Sequence, residues 1–75
     1  MSFRENEFKA ELHHKGFSTN AEFLKAYNTK YKKISSPAFY NKLRGRSEWK
    51  RSEISNIAEL LGSSWDDIQR IFFAI

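Results

Sequence analysis

Seventy-five residues with no cysteine leave room for one domain and exclude disulfides or thiolate zinc as staples, so the core must form by apolar packing. Seven Phe, three Tyr and two Trp supply large surfaces for that packing; no apolar run approaches the roughly 20 residues needed to span a bilayer, and the first residues show no apolar signal region, so an intracellular, reducing setting is expected. The net charge of +4 hides an asymmetry: residues 1–28 carry four basic and four acidic side chains, residues 29–51 eight and one, and residues 52–75 one and four.

Helical spacing first shows over residues 5–15, where Phe8 and Leu12 stand four apart and Gly16 can adopt the left-handed conformation that ends a helix. A second helix opens at Thr19-Asn20-Ala21-Glu22, a capping-box pattern in which Thr19 caps and Glu22 reaches back. Phe23, Leu24 and Tyr27 form its apolar face, and it frays among residues 28–33. The third helix, residues 37–44, has the clearest start. Ser36 is its expected N-cap, and Pro37 suits the first helical position, where no N–H partner is needed. Phe39 and Leu43 turn inward, and Gly45 ends the helix. The fourth covers residues 50–61, with Ile54, Ile57, Ala58 and Leu61 on one stripe and Gly62 as its stop. Ser64 caps the fifth, where Asp66 and Asp67 favour the positive helix end and Ile68, Ile71 and Phe72 follow at helical spacing. No segment alternates with period 2, so the expected fold is all-α, five short helices in one bundle. Its expected interior is Phe8, Leu12, Phe23, Leu24, Phe39, Leu43, Ile54, Ile57, Ala58, Leu61, Ile68 and Phe72.

Positive charge gathered in the middle third is the electrostatic footprint of a nucleic-acid binder; the plainer reading is a solvated basic face. A short helix, a turn and a second short helix near the centre of the chain suggest a helix-turn-helix. In that device the second helix projects polar side chains into the major groove while its back packs on the core. The third helix fits: Phe39 and Leu43 face inward, while Ser36, Pro37, Tyr40, Asn41 and Arg44 lie on or near the opposite side. Asparagine pairs a donor and an acceptor with adenine, and arginine suits guanine or phosphate. For Tyr40, a packed aromatic and a base contact are equally expected.

The run Ser35-Ser36-Pro37-Ala38-Phe39-Tyr40-Asn41-Lys42-Leu43-Arg44-Gly45 resembles the recognition-helix signature of the Cro/CI-type, lambda-repressor-like helix-turn-helix family, and within it the small phage regulators of Gram-positive hosts. The resemblance continues through Thr19-Asn20-Ala21-Glu22-Phe23-Leu24, Trp49-Lys50-Arg51-Ser52-Glu53-Ile54 and Leu61-Gly62-Ser63-Ser64-Trp65-Asp66-Asp67-Ile68, spanning residues 17–72 by spacing and residue class. It implies a five-helix lambda-repressor-like domain that binds double-stranded DNA as a sequence-specific transcriptional regulator, Cro- or repressor-like, of a phage genetic switch. It further implies a phosphate contact at Asn20, base-edge contacts at Ser36, Tyr40 and Asn41, and backbone contacts from Arg44, Arg46 and Lys42. Pro37 stands where the family often places a polar base reader and offers apolar contact to a thymine methyl. Charge alone adds Lys30, Lys32 and Lys33 to the backbone set. Residues 28–33 lengthen the family's usual turn of about four residues, either by an extended second helix or by a basic loop.

Other function classes find less support. His13 and His14 are adjacent on a helix, so they point about 100° apart and cannot jointly grip one metal. Neither an acid pair, a Cys–His set nor a Gly-rich phosphate loop is present, so no enzyme, cofactor or metal site is expected. The competing role is that of an antirepressor, a small phage protein that binds and inactivates a partner repressor. Ile71-Phe72-Phe73-Ala74-Ile75 is apolar throughout, which makes Phe73 and Ile75 candidates for a self- or partner-interface, whether in a weak homodimer on DNA or with a phage repressor. Membrane attachment is disfavoured, because that apolar end has no basic flank beyond Arg70.

Overall fold

Local capping chemistry sets where each helix begins. The computed structural model describes residues 3–73, which form α1 (Glu5–His14), α2 (Asn20–Lys30), α3 (Ser36–Leu43), α4 (Arg51–Leu61) and α5 (Trp65–Phe72), with no strand among them. Thr19 Oγ1 accepts from the Glu22 N–H at 3.1 Å, while the Glu22 carboxylate reaches one residue further back, to the Ser18 N–H at 2.7 Å. At α5 the box is complete: Ser64 Oγ accepts from the Asp67 N–H, and Asp67 Oδ2 accepts from the Ser64 N–H. At α4 only half of it forms, because Lys50 has no side-chain acceptor; its own N–H donates to Glu53 Oε1 at 2.8 Å.

The start of α3 differs from expectation by one residue. Ser35, not Ser36, is the N-cap, its Oγ accepting from the Ala38 N–H at 3.3 Å. Ser36 is then the first helical residue and Pro37 the second, where a missing N–H is still harmless. Two adjacent serines have the same capping chemistry, and Ile34 breaks the tie. With Ser35 as cap, Ile34 and Phe39 occupy the two positions that form a hydrophobic staple, and both are buried.

One core cluster gathers residues of all five helices. It contains Tyr27, Ile34 and Ile71 in addition to most of the expected interior, whereas Ile54 and Ala58 are only half-buried. The reason lies in the rotation of α4. Its buried line is Glu53, Ile57 and Leu61, spaced four apart, so Ile54 and Ala58 flank that line instead of lying on it. Aromatic rings run through the core: Phe8 meets Phe23 edge-on at 5.4 Å, Phe23 stacks on Phe39 at 6.1 Å, and Trp49 lies 6.0 Å from Phe39 and 5.6 Å from Phe72. Phe3 closes this string against Phe72 at 5.2 Å, and the Arg4 N–H donates to the Ile71 carbonyl at 2.8 Å. Such ring pairs each contribute about 0.5–1.5 kcal/mol beyond the area they bury.

Backbone contact is broadest between α1 and both α5 and α2, and between α4 and both α5 and α2. Helix α3 is in none of these pairs; Phe39 and Leu43 anchor it to the core. Arg70 bridges Glu7 and Asp67, both at 2.8 Å, and the buried Glu11 accepts from Ser63 Oγ at 2.6 Å, which ties α1 to both ends of α5. Among the described residues, no helix is long and apolar enough to cross a membrane.

Candidate nucleic-acid interface

The connection between α2 and α3 combines the two ways of lengthening it. Helix α2 continues to Lys30, and residues 31–35 form a five-residue loop. One side chain closes that loop. The Asn28 amide donates to the Ile34 carbonyl at 3.0 Å and accepts from the Ile34 N–H at 2.8 Å. With Ile34 held in the core and Tyr31 packed 5.0 Å from the Tyr27 ring, Lys32 and Lys33 are left exposed at the loop's crest. Helix α3 follows directly.

Pro37, Asn41 and Arg44, spaced three and four apart, point away from the buried Phe39, Lys42 and Leu43, while Ser36 and Tyr40 border the buried side of α3. Ser36, Pro37 and Asn41 are exposed. Tyr40 is half-buried: its ring lies 5.5 Å from that of Phe39 and the Arg44 guanidinium stands 5.8 Å away. Arg44 itself is the C-cap, one residue beyond the end of α3. Gly45 then takes a φ of +77°, a left-handed conformation that glycine adopts without strain. This lets the Arg46 N–H fold back to the Asn41 carbonyl at 2.9 Å. The turn thus uses the backbone of Asn41, while its side-chain amide makes no hydrogen bond within the described residues, and Arg46 is exposed beside it.

Lys42 does not fit the expectation that it contacts a nucleic-acid backbone. It is buried, its Nζ 3.1 Å from Glu53 Oε1 and 3.0 Å from the Glu48 carbonyl, so its charge is consumed inside the protein. Lys30 remains exposed but shares its charge with Glu59 of α4 at 3.6 Å. The Tyr31 hydroxyl donates to the same carboxylate. That bond, followed by the Lys30 charge, holds Glu59 below the ordinary carboxylate value; Tyr31 first, and then Glu59, raises Lys30. Asn20 is the first residue of α2 and half-buried, in a cleft of about 220 Å³ with Lys9, His13 and Ser18. Helix α2 places it about 16 Å from the basic loop, by 1.5 Å of rise per residue.

The structure adds Lys50 and Arg51, which entered the charge count but were given no role. Lys50 lines a cleft of about 160 Å³ with Lys32, Lys33, Ser52 and Asn56, so the N-terminus of α4 sits beside the α2–α3 loop. Both residues are exposed at the start of α4, where the Lys50 side chain offers no acceptor to the helix N–H groups and Glu53 accepts from the Lys50 N–H. Their position depends on how α4 packs against α2, which no local pattern encodes.

The apolar surface also differs from expectation. Phe73 is half-buried, its ring 6.1 Å from that of Trp65, and it is Trp65 that stands 64% exposed. Ile75 lies outside the described residues. Beside Trp65 an open groove of about 400 Å³ is lined by Trp49, Arg51, Ile54 and Phe73. His13 and His14 are exposed on α1, and no cluster of three or more metal-ligating side chains occurs among the described residues.

No protein-family model, curated protein or solved structure matches the chain. The functional reading therefore rests on the chain's own geometry and charge.

Proposed function

We propose that α2, the loop and α3 form a helix-turn-helix of the lambda-repressor-like kind, and that the protein is a sequence-specific regulator of transcription that reads duplex DNA with α3. The observation that carries this reading is the exposed set Ser36, Pro37, Asn41 and Arg44, with the half-buried Tyr40 beside them, on a helix and its C-cap whose inner side, Phe39, Lys42 and Leu43, is buried. Lys32 and Lys33 lie before that set and Arg46, Lys50 and Arg51 after it. A basic surface supplies affinity for the phosphate backbone, and short polar side chains on a projecting helix supply discrimination.

In this reading Asn41 pairs with adenine, Ser36 and Tyr40 meet neighbouring base edges, and Pro37 contacts a thymine methyl. Lys32, Lys33, Arg44 and Arg46 hold the backbone, joined by Lys50 and Arg51, with Lys30 and Asn20 at the margin. A single short helix covers few base pairs, so two copies on a two-fold symmetric site, about 34 Å apart, are the natural solution. The exposed Trp65 and its groove, with Phe73 beneath, offer the apolar surface for that pairing.

The test is selection of bound duplexes from a random pool by the purified protein, followed by salt titration of the winner. A two-fold symmetric motif is expected, with log K falling by about 0.9 per phosphate contact for each decade of salt. A pool that stays unenriched, together with a stoichiometric complex between this protein and the DNA-binding domain of a phage repressor, would replace this reading with that of an antirepressor.

A further inference from the structure

Lys42 departs from the rest of the basic segment. Of its eight cations it is the buried one, with 10% side-chain exposure facing 11% for Glu53. Its ammonium has three neighbours: Glu53 Oε1 at 3.1 Å, the Glu48 carbonyl at 3.0 Å, and the Trp49 ring with its centroid at 5.8 Å. The same Glu53 oxygen accepts the Lys50 N–H at 2.8 Å. One carboxylate oxygen therefore ties the last turn of α3 to the start of α4.

Stability alone explains this pair poorly. Desolvating two charges offsets most of their attraction, and a well-packed apolar pair of similar volume commonly does as well or better. What the ion pair adds is direction. Phe39 and Leu43 hold α3 by burial, which is indifferent to small rotations, whereas a charge-assisted hydrogen bond weakens steeply off its axis. Helix α3 shares none of the broadest helix-to-helix backbone contacts, so its orientation rests on a few side chains: Phe39 and Leu43, the Ile34 staple, and this pair.

We infer that Lys42 and Glu53 are positioning residues: their buried pair sets the rotation of α3 against α4, so that Asn41 and the Lys50–Arg51 end address one duplex in register. This inference rests on the DNA-reading proposal. It assigns the pair to discrimination between sequences, not to overall affinity.

The experiment compares the parent with the double variant Lys42→Met/Glu53→Leu and with Glu53→Gln, which keeps an acceptor for the Lys50 N–H but removes the charge. Three quantities are read: the affinity ratio between selected and scrambled duplexes, the salt slope, and amide exchange in α3 relative to α4. Both variants are expected to lose about tenfold in the ratio, comparable to one good base contact. The salt slope should not change, and α3 amides should exchange faster while α4 keeps its protection. A folded variant with the parent's ratio and the parent's α3 protection overturns the inference. Should the double variant not fold, Glu53→Gln decides by the same readouts. Should the parent itself not discriminate between duplexes, the DNA reading fails on its own, and α3 exchange then judges the pair: faster exchange supports positioning, and unchanged exchange refutes it.

Discussion

Truncating Asn41 to alanine separates reading a base from holding the backbone. Its carbonyl receives the Arg46 and Ser47 N–H groups at 2.9 and 3.3 Å, and alanine retains both bonds. Its side chain is exposed and makes no hydrogen bond within the described residues, so folding loses no contact. Alanine also has the higher helix propensity, by up to about 0.7 kcal/mol, which predicts a melting temperature equal to or above the parent's. A bidentate base contact contributes roughly 1–3 kcal/mol of discrimination. Asn41→Ala should therefore weaken the selected duplex about 5- to 150-fold and a scrambled duplex hardly at all. Fluorescence anisotropy at one fixed salt concentration measures both, and Arg46→Ala, which should weaken both duplexes together, is the control. Equal losses on the two duplexes for Asn41→Ala would take it off the base-reading face, and a lowered melting temperature would move its role to the fold.

Three further outcomes follow from the same geometry. Replacing Lys32 and Lys33 with alanine should flatten the salt slope by about 1.8, two phosphate contacts' worth, and weaken all sequences alike; an unchanged slope would leave the loop merely solvated. Trp65→Ser, a surface change expected to alter stability by no more than about 0.5 kcal/mol, should reduce self-association in sedimentation and cooperativity on a two-half-site duplex; if neither moves, Trp65 is not the self-contact. Asp67 is held below its usual 3.8, first by the Arg70 guanidinium and then by Ser64, and Glu59 below its usual 4.5 by the Tyr31 hydroxyl and Lys30. Both are depressed in the fold, so their stabilisation is present above the unfolded values and fades as pH falls through the folded ones. Denaturant titrations should show stability declining into acid from about pH 5, and less steeply in Asp67→Asn; parallel curves for the two proteins would contradict the Asp67–Arg70 coupling.

How far the sequence reveals this arrangement depends on how local each cause is. The caps Thr19 and Ser64 and the turn at Gly45 act within a few residues, so helix limits were legible to within about two residues. Ser35 and Ser36 were locally equivalent, and the choice between them lay in Ile34, a lone apolar residue after a basic run that shows no periodicity. Asn28 looked like fraying because its role is to clasp Ile34, a bond within a loop that no helical spacing announces. Trp65 stands three before Ile68 and seven before Phe72, so spacing alone places it inward; it is nonetheless the first residue of α5 and 64% exposed, and helical spacing misleads there.

Lys42 differs from these, because a signal for its burial was present. It stands three residues after Phe39 and one before Leu43, which places it on the inward side of α3 by spacing alone, just as Glu53, four before Ile57, lies on the inward side of α4. Counting charge by segment treats every lysine as surface and passes over this. A cation and an anion on inward positions of successive helices, eleven residues apart, are more economically read as partners than as two solvated groups, since neither can be buried alone. Taking Lys42 out of the DNA-facing set and noting Lys30's tie to Glu59 leaves Lys32, Lys33, Arg44, Arg46, Lys50 and Arg51 exposed around α3 and the adjoining end of α4. The footprint is smaller than the charge count suggests, and Lys32, Lys33 and Lys50 of it line one cleft; at physiological salt, exposed charges more than about 8 Å apart are largely screened from one another.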